Sequence, residues 1–172
     1  MNAETLATHR ADKDEYLRSG SHSPIPREYR DSFAGLPYYD WNEDLVFTVP
    51  VEQADGSEIT VATSDNTERI YRRAATVDLA IAGRAQTLTL YDTGHPGLFL
   101  PFRDATSGGE TYGGGRYLDI EPNADGTVTI DFNLAYSPYC AYNDAYSCPL
   151  PPTENWMKVA VEAGERTWLK PV

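Results

Sequence analysis

From Leu45 onward, apolar residues recur at every second position. Phe47, Val49 and Val51 alternate with polar neighbours, and Ile59 and Val61 do the same beyond Ala54-Asp55-Gly56. A period of two sends successive side chains to opposite faces, the mark of a half-buried strand, so this spacing predicts a hairpin about that turn. Val77, Leu79 and Ile81 face Leu88 and Leu90 across Ala82-Gly83-Arg84-Ala85-Gln86 as a second antiparallel pair. Leu118 and Ile120 precede a third turn, Ala124-Asp125-Gly126, and Val128, Ile130 and Phe132 follow it. Met157, Val159 and Val161 predict a last strand before Gly164.

Parity selects the register of the third hairpin. A three-residue loop built on a type I turn with a left-handed glycine pairs Asn123 with Thr127, then Ile120 with Ile130 and Leu118 with Phe132. The apolar faces then agree. A two-residue loop would set Ile120 opposite Asp131 and is rejected. The chosen register also sets Asp119 across from Asp131, and Tyr117 across from Asn133.

Upstream, residues 3 to 18 predict a surface helix stopped by Gly20, with Leu6, Tyr16 and Leu17 as its apolar side. Residues 19 to 44, carrying Pro24, Pro26 and Pro37, read as an irregular connector whose Tyr38, Tyr39 and Trp41 pack on the body. The expected organisation is one domain: a helix and connector over 1–44, and an antiparallel barrel-like body over 45–172. Short strands joined by local turns, without strand–helix alternation, give a mainly β class, an antiparallel barrel or sandwich with a short N-terminal helix.

Charge narrows the partners. Twenty-six acidic residues against 14 Lys and Arg leave a formal net charge of -12, which opposes binding to nucleic acid or anionic membranes. Only 3 of the 14 cations are Lys. An Asp-rich, Lys-poor surface suits molar salt, where charges are screened within about 3 Å, so a halophilic, archaeal origin is the leading expectation. The first residues lack the apolar run of a signal peptide and no segment approaches a membrane helix; a cytoplasmic address is expected.

Three places could hold chemistry. Opposed Asp119 and Asp131 need solvent, an arginine such as Arg103 or Arg116, a metal ion or a shared proton. Gly113-Gly114-Gly115 leads into a strand rather than a helix, so it is no phosphate loop. Glycine there marks a tight turn or a close approach of backbone or ligand, and Arg103, Arg116, Thr106, Ser107, Thr111 and Tyr112 around it suggest an anion or carboxylate pocket. The third place is the aromatic loop holding both cysteines, Cys140 and Cys148. It admits a disulfide, buried thiols among Tyr136, Tyr139, Tyr142 and Tyr146, a metal site recruiting His95, or a nucleophilic cysteine with His95 as base.

The segments FRDATSGGETYGGGRYLD, IDFNLAYSPYCAYNDAYSCPLPPTEN and AGE follow one another as in the domain-of-unknown-function family numbered 1684, which the chain resembles over roughly residues 10 to 168. The resemblance implies a mainly β single domain of prokaryotes with no established activity. Some relatives resemble exported lipoproteins, in which a disulfide would be natural. The family's Asn before Pro-Tyr-Cys is Ser137 here.

These readings converge on a small-ligand-binding or accessory domain with an Arg- and Tyr-lined mouth and a small anionic ligand as its expected partner. The candidate residues are Arg103, Thr111, Tyr112, Gly113, Gly114, Arg116, Asp119, Asp131, Asn133, Tyr136 and Tyr139, with Cys140, Cys148 and His95 as candidate metal ligands. A hydrolytic enzyme using the paired Asp residues and a structural or protein-interaction module are the alternatives. The cofactor is left unassigned.

Overall fold

A 14-residue strand, β4 (Glu68–Ile81), forms the spine of the computed structural model, which describes residues 1–172. It turns into β5 (Arg84–Asp92) through Ala82 and Gly83, both with positive φ (50° and 73°). Two left-handed residues are what a two-residue hairpin with right-twisted strands demands. The second predicted pair therefore forms, with Val77 opposite Leu88, but the strands run on through the expected five-residue loop.

The first predicted hairpin does not form. β1 (Val46–Pro50) instead pairs with β8 (Thr127–Asp131), placing Phe47 opposite Ile130 and Val49 opposite Val128. β2 (Glu52–Gln53) and β3 (Glu58–Ala62) lie in succession along the free side of β4. Between them Ala54-Asp55-Gly56 bulges outward, held by Ala54 N–H to Ala74 C=O (3.1 Å) and Arg73 N–H to Ser57 C=O (2.9 Å). The alternation is sound and only the partner differs, because period two specifies a face and not a neighbour.

β6 (Leu98–Phe102) and β7 (Arg116–Ile120) complete a six-stranded antiparallel sheet in the order β2-β4-β5-β6-β7, with β3 also on β4. The third turn closes as expected: Asn123 N–H donates to Thr127 C=O at 2.8 Å, and Gly126 takes a φ of 81°. The ladder stops at a single bridge, Pro122 to Val128. Proline has no N–H to extend it, and the strands part, β7 to β6 and β8 to β1.

The Asp119–Asp131 opposition is thereby corrected. Asp119 stands opposite Phe99 and Asp131 opposite Val46, in different sheets. Tyr117 likewise bridges Tyr136 and not Asn133.

The large sheet is open, so the body is a sandwich and not a barrel. Its inner face meets the β1–β8 pair in one core that includes Leu88, Leu90, Leu100, Leu118, Val128, Ile130 and Phe132. The last predicted strand is alternately buried at Met157, Val159 and Val161, but it bends at Lys158–Val159 and joins no ladder. It binds instead to the Arg103–Asp104 segment, through Met157 N–H to Arg103 C=O at 2.8 Å and Val161 N–H to Asp104 Oδ2 at 2.7 Å.

α1 (Ala3–Ser19) starts at an Asn2–Thr5 capping box. Leu6 and Leu17 are buried while Tyr16 is exposed. Leu17 joins Ile25, Phe33, Leu36 and Tyr142 in a second cluster, which ties the connector to the cysteine loop. No helix is long and apolar enough to cross a membrane.

Candidate functional site

Parity along β6 and β7 divides the two faces of the sheet. Leu100, Phe102, Leu118 and Ile120 point into the core, so Phe99, Tyr117 and Asp119 must point outward. On that outer face the aromatic rings meet edge to face in a row across four segments. Tyr71 lies 6.0 Å from Phe99, Phe99 4.8 Å from Tyr117, and Tyr117 5.7 Å from Tyr136, at interplanar angles of 83°, 71° and 90°. Each such pair adds about 0.5–1.5 kcal/mol beyond its buried area.

The cysteine loop arches over one end of this row. It leaves the β7 edge where Tyr117 and Tyr136 exchange backbone hydrogen bonds of 2.9 and 3.1 Å, and it lands beyond β3, where Leu150 N–H reaches Ala62 C=O at 2.8 Å. Tyr139 and Tyr146 pack edge to face on it, 5.2 Å apart. Between arch and sheet lies a cleft of about 590 Å³, lined by Tyr71, Phe99, Tyr117, Tyr136, Tyr139 and Tyr146, with Arg69, His95, Asp119, Ser147 and Cys148 among its polar groups. A second hollow of about 550 Å³ shares Asp119, Tyr136 and Tyr139 with it and continues toward α1.

Most polar groups in the cleft wall are already held. Tyr136 donates its O–H to Asp119 Oδ2 at 2.9 Å, Tyr117 donates to the Pro149 carbonyl, and Arg69 donates to the Ser147 carbonyl at 2.8 Å. Burial raises the pKa of both Tyr117 and Tyr136, and the Asp119 charge adds to the effect at Tyr136. Both phenols stay neutral hydrogen-bond donors. His95, Arg69 and Asp119 are exposed at the cleft; Arg69 and Asp119 keep donor and acceptor capacity beyond the bonds just named, and these three are the groups placed to meet a ligand.

Of the eleven predicted ligand residues, Asp119, Tyr136 and Tyr139 line the cleft; His95 and Cys148, predicted as metal ligands, do so as well. The others serve the frame. Arg116 is fully buried, donating to the Val161 carbonyl at 2.8 Å and to those of Ala163 and Glu165, with Asp104 Oδ1 at 3.5 Å. It shares parity with Leu118 and Ile120, which is the sequence signal that it faces inward. Arg103 stacks on Trp156 at 4.6 Å. Thr111 is buried against Thr106 at 2.9 Å.

Gly113 and Gly114 form the turn before β7. At Gly115 a Cβ would sit 2.5 Å from Pro151 Cγ and 2.7 Å from the Phe102 carbonyl, at a φ of 90°. The close approach expected of this glycine run is thus to the chain's own backbone and the proline stretch. Asp131 Oδ1 accepts from the backbone and side-chain N–H of Asn133, each at 3.0 Å, and Asn133 clamps Asn42 through bonds of 2.9 and 2.8 Å. An acid–base pair of Asp119 and Asp131 has no geometric basis.

The two cysteines are buried free thiols. Tyr112 places its hydroxyl 3.5 Å from Cys140 Sγ, which joins the glycine loop to the cysteine loop. No group of three or more His, Cys, Asp or Glu side chains comes together for a metal. Arg69, Tyr71, Phe99, Tyr117 and Tyr146 are cleft residues absent from the predicted ligand set. For Phe99 and Tyr117 the outward parity was legible; for Arg69 and Tyr71 it was not, because the first half of β4 carries few apolar residues.

The family model for a protein of unknown function, DUF1684, matches residues 31–166. The chain is also similar to an uncharacterized protein of Haloarcula marismortui whose solution structure was determined by NMR. That likeness has 41% identity and a TM-score of 0.73 over 95% of this chain and 93% of the other. No curated protein matches.

Proposed function

The chain belongs to the DUF1684 family, and from that premise we propose that it is a small-ligand-binding domain whose site is the aromatic cleft under the cysteine loop. The observation that carries this reading is the cleft itself. Its volume, about 590 Å³, falls within the roughly 300–1,000 Å³ of small-molecule sites, which combine an apolar lining with a few polar groups. The edge-to-face row favours a ring-bearing ligand. Arg69 and His95 suit a carboxylate or similar anionic substituent, so the anionic partner expected from Arg103 and Arg116 is reassigned to Arg69. The acidic balance and the Haloarcula relative support a salt-rich cytoplasm as the working environment.

Arg69 is exposed, so Arg69→Gln should leave the fold intact. In a thermal-shift and native mass spectrometry screen of ring carboxylates, a binder of the wild type should lose about tenfold in affinity, or about 1.4 kcal/mol, in this variant. A screen without hits, or hits indifferent to Arg69→Gln and to Tyr139→Ala, would overturn the reading.

A further inference from the structure

We propose that Cys140 and Cys148 form a redox modification site, a dithiol that closes to an intramolecular disulfide when a hydroperoxide reaches it through the cleft. The cleft serves here only as a way in, so the inference stands apart from what else binds there.

Three observations bring the sulfurs together. Cys140 sits in the 3₁₀ turn Tyr139–Ala141, after which Asn143 reverses the chain by accepting from Tyr146 N–H at 3.2 Å and, through Oδ1, from Ala145 N–H at 3.0 Å. Cys140 N–H then donates to Cys148 Sγ at 3.3 Å. Cys148 is fixed in turn by Ser64, whose Oγ accepts from Cys148 N–H at 3.0 Å and whose N–H donates to Cys148 C=O at 2.9 Å.

Access and activation are both present. Cys148 lines the cleft, and Cys140, which does not, is joined to Cys148 by the N–H to Sγ bond; the two residues are only 7% and 8% exposed, so a small oxidant must pass Cys148 to reach Cys140 and a bond to another chain is disfavoured. On its other side, Cys140 Sγ lies 3.5 Å from the Tyr112 hydroxyl. Its contact with Cys148, aided by the Tyr112 hydroxyl, lowers the Cys140 thiol against the opposing effect of burial, while the same contact and burial together push Cys148 up. That direction favours the thiolate at Cys140, and the thiolate is the form that reacts.

The Cys140 thiolate attacks one oxygen of hydrogen peroxide. An S–O bond forms, the O–O bond breaks, and the departing hydroxide takes a proton to become water. The Cys148 thiol then attacks the sulfenic sulfur; the S–S bond forms, the S–O bond breaks, and a second water leaves with the Cys148 proton. Two thiols are oxidised and one peroxide is reduced.

The test is peroxide titration of the reduced protein, alkylation, and intact mass without reductant. The wild type should lose the mass of two hydrogen atoms, remain unalkylated and monomeric, and recover both thiols on reduction. Cys148→Ser should stop at a dimedone-trapped Cys140 sulfenic acid, and Cys140→Ser should react about tenfold more slowly. Two alkylated thiols after peroxide, sulfinic or sulfonic products without a disulfide, or a disulfide between chains would each overturn the proposal. The wild-type experiment decides even if a variant fails to fold.

Discussion

Arg116 shows how one residue can carry charge without facing a ligand. Its guanidinium satisfies three carbonyls of residues 161 to 165 that no strand partner reaches, and Asp104 balances the charge while binding Val161 N–H and Thr106. Replacing it strands both the carbonyls and the buried carboxylate. Arg116→Met should cost about 3–5 kcal/mol, the range for breaking a buried pair from one side, read from urea unfolding. A loss below about 1 kcal/mol would show that the C-terminal segment holds without it. Parity marked Arg116 as inward-facing, but the unmatched carbonyls that make its burial favourable come from a segment some 45 residues away and cannot be seen locally.

At the scale of elements, the alternation and the third turn were legible and partners were not. Asn123–Thr127 closed as its glycine required, and every predicted apolar alternation lies on a buried or half-buried face. Yet β1 left its sequence neighbour for β8, because apolar strands of the same parity are interchangeable until the whole core selects among them. The β4–β5 turn allows a direct check. Ala82 holds a φ of 50°, a conformation that costs an L-residue about 1–2 kcal/mol and glycine almost nothing. After the larger entropy loss of glycine on folding, Ala82→Gly should still stabilise the protein by about 0.5 kcal/mol. An unchanged or lower urea midpoint would mean that the turn carries no such strain.

For the molecule as a whole, tyrosine is structural material. Tyr38, Tyr91, Tyr117, Tyr136 and Tyr142 all have pKa values raised above the ordinary 10.0, each chiefly by burial. The folded state therefore holds these protons more tightly than the unfolded state. The stability they contribute is complete below about pH 10 and falls as pH rises toward the folded values, since unfolding then releases protons. Alkaline titration should show tyrosinate absorbance rising together with loss of near-ultraviolet circular dichroism in one cooperative step. Five phenols ionising one by one near pH 10 in a folded protein would contradict this burial.

The chain's own order of residues determined what local rules govern: the strand alternation, the left-handed glycine turns, the N-terminal helix, the β class and the excess of acidic over basic residues. Each depends on sterics or polarity within a few positions. Only the tertiary structure decided that the sheet stays open, that Asp119 and Asp131 lie apart, and that Tyr71, Phe99, Tyr117 and Tyr136 align beneath the cysteine loop. Those outcomes turn on which strands share a core, a competition among distant segments of equal parity settled by total burial.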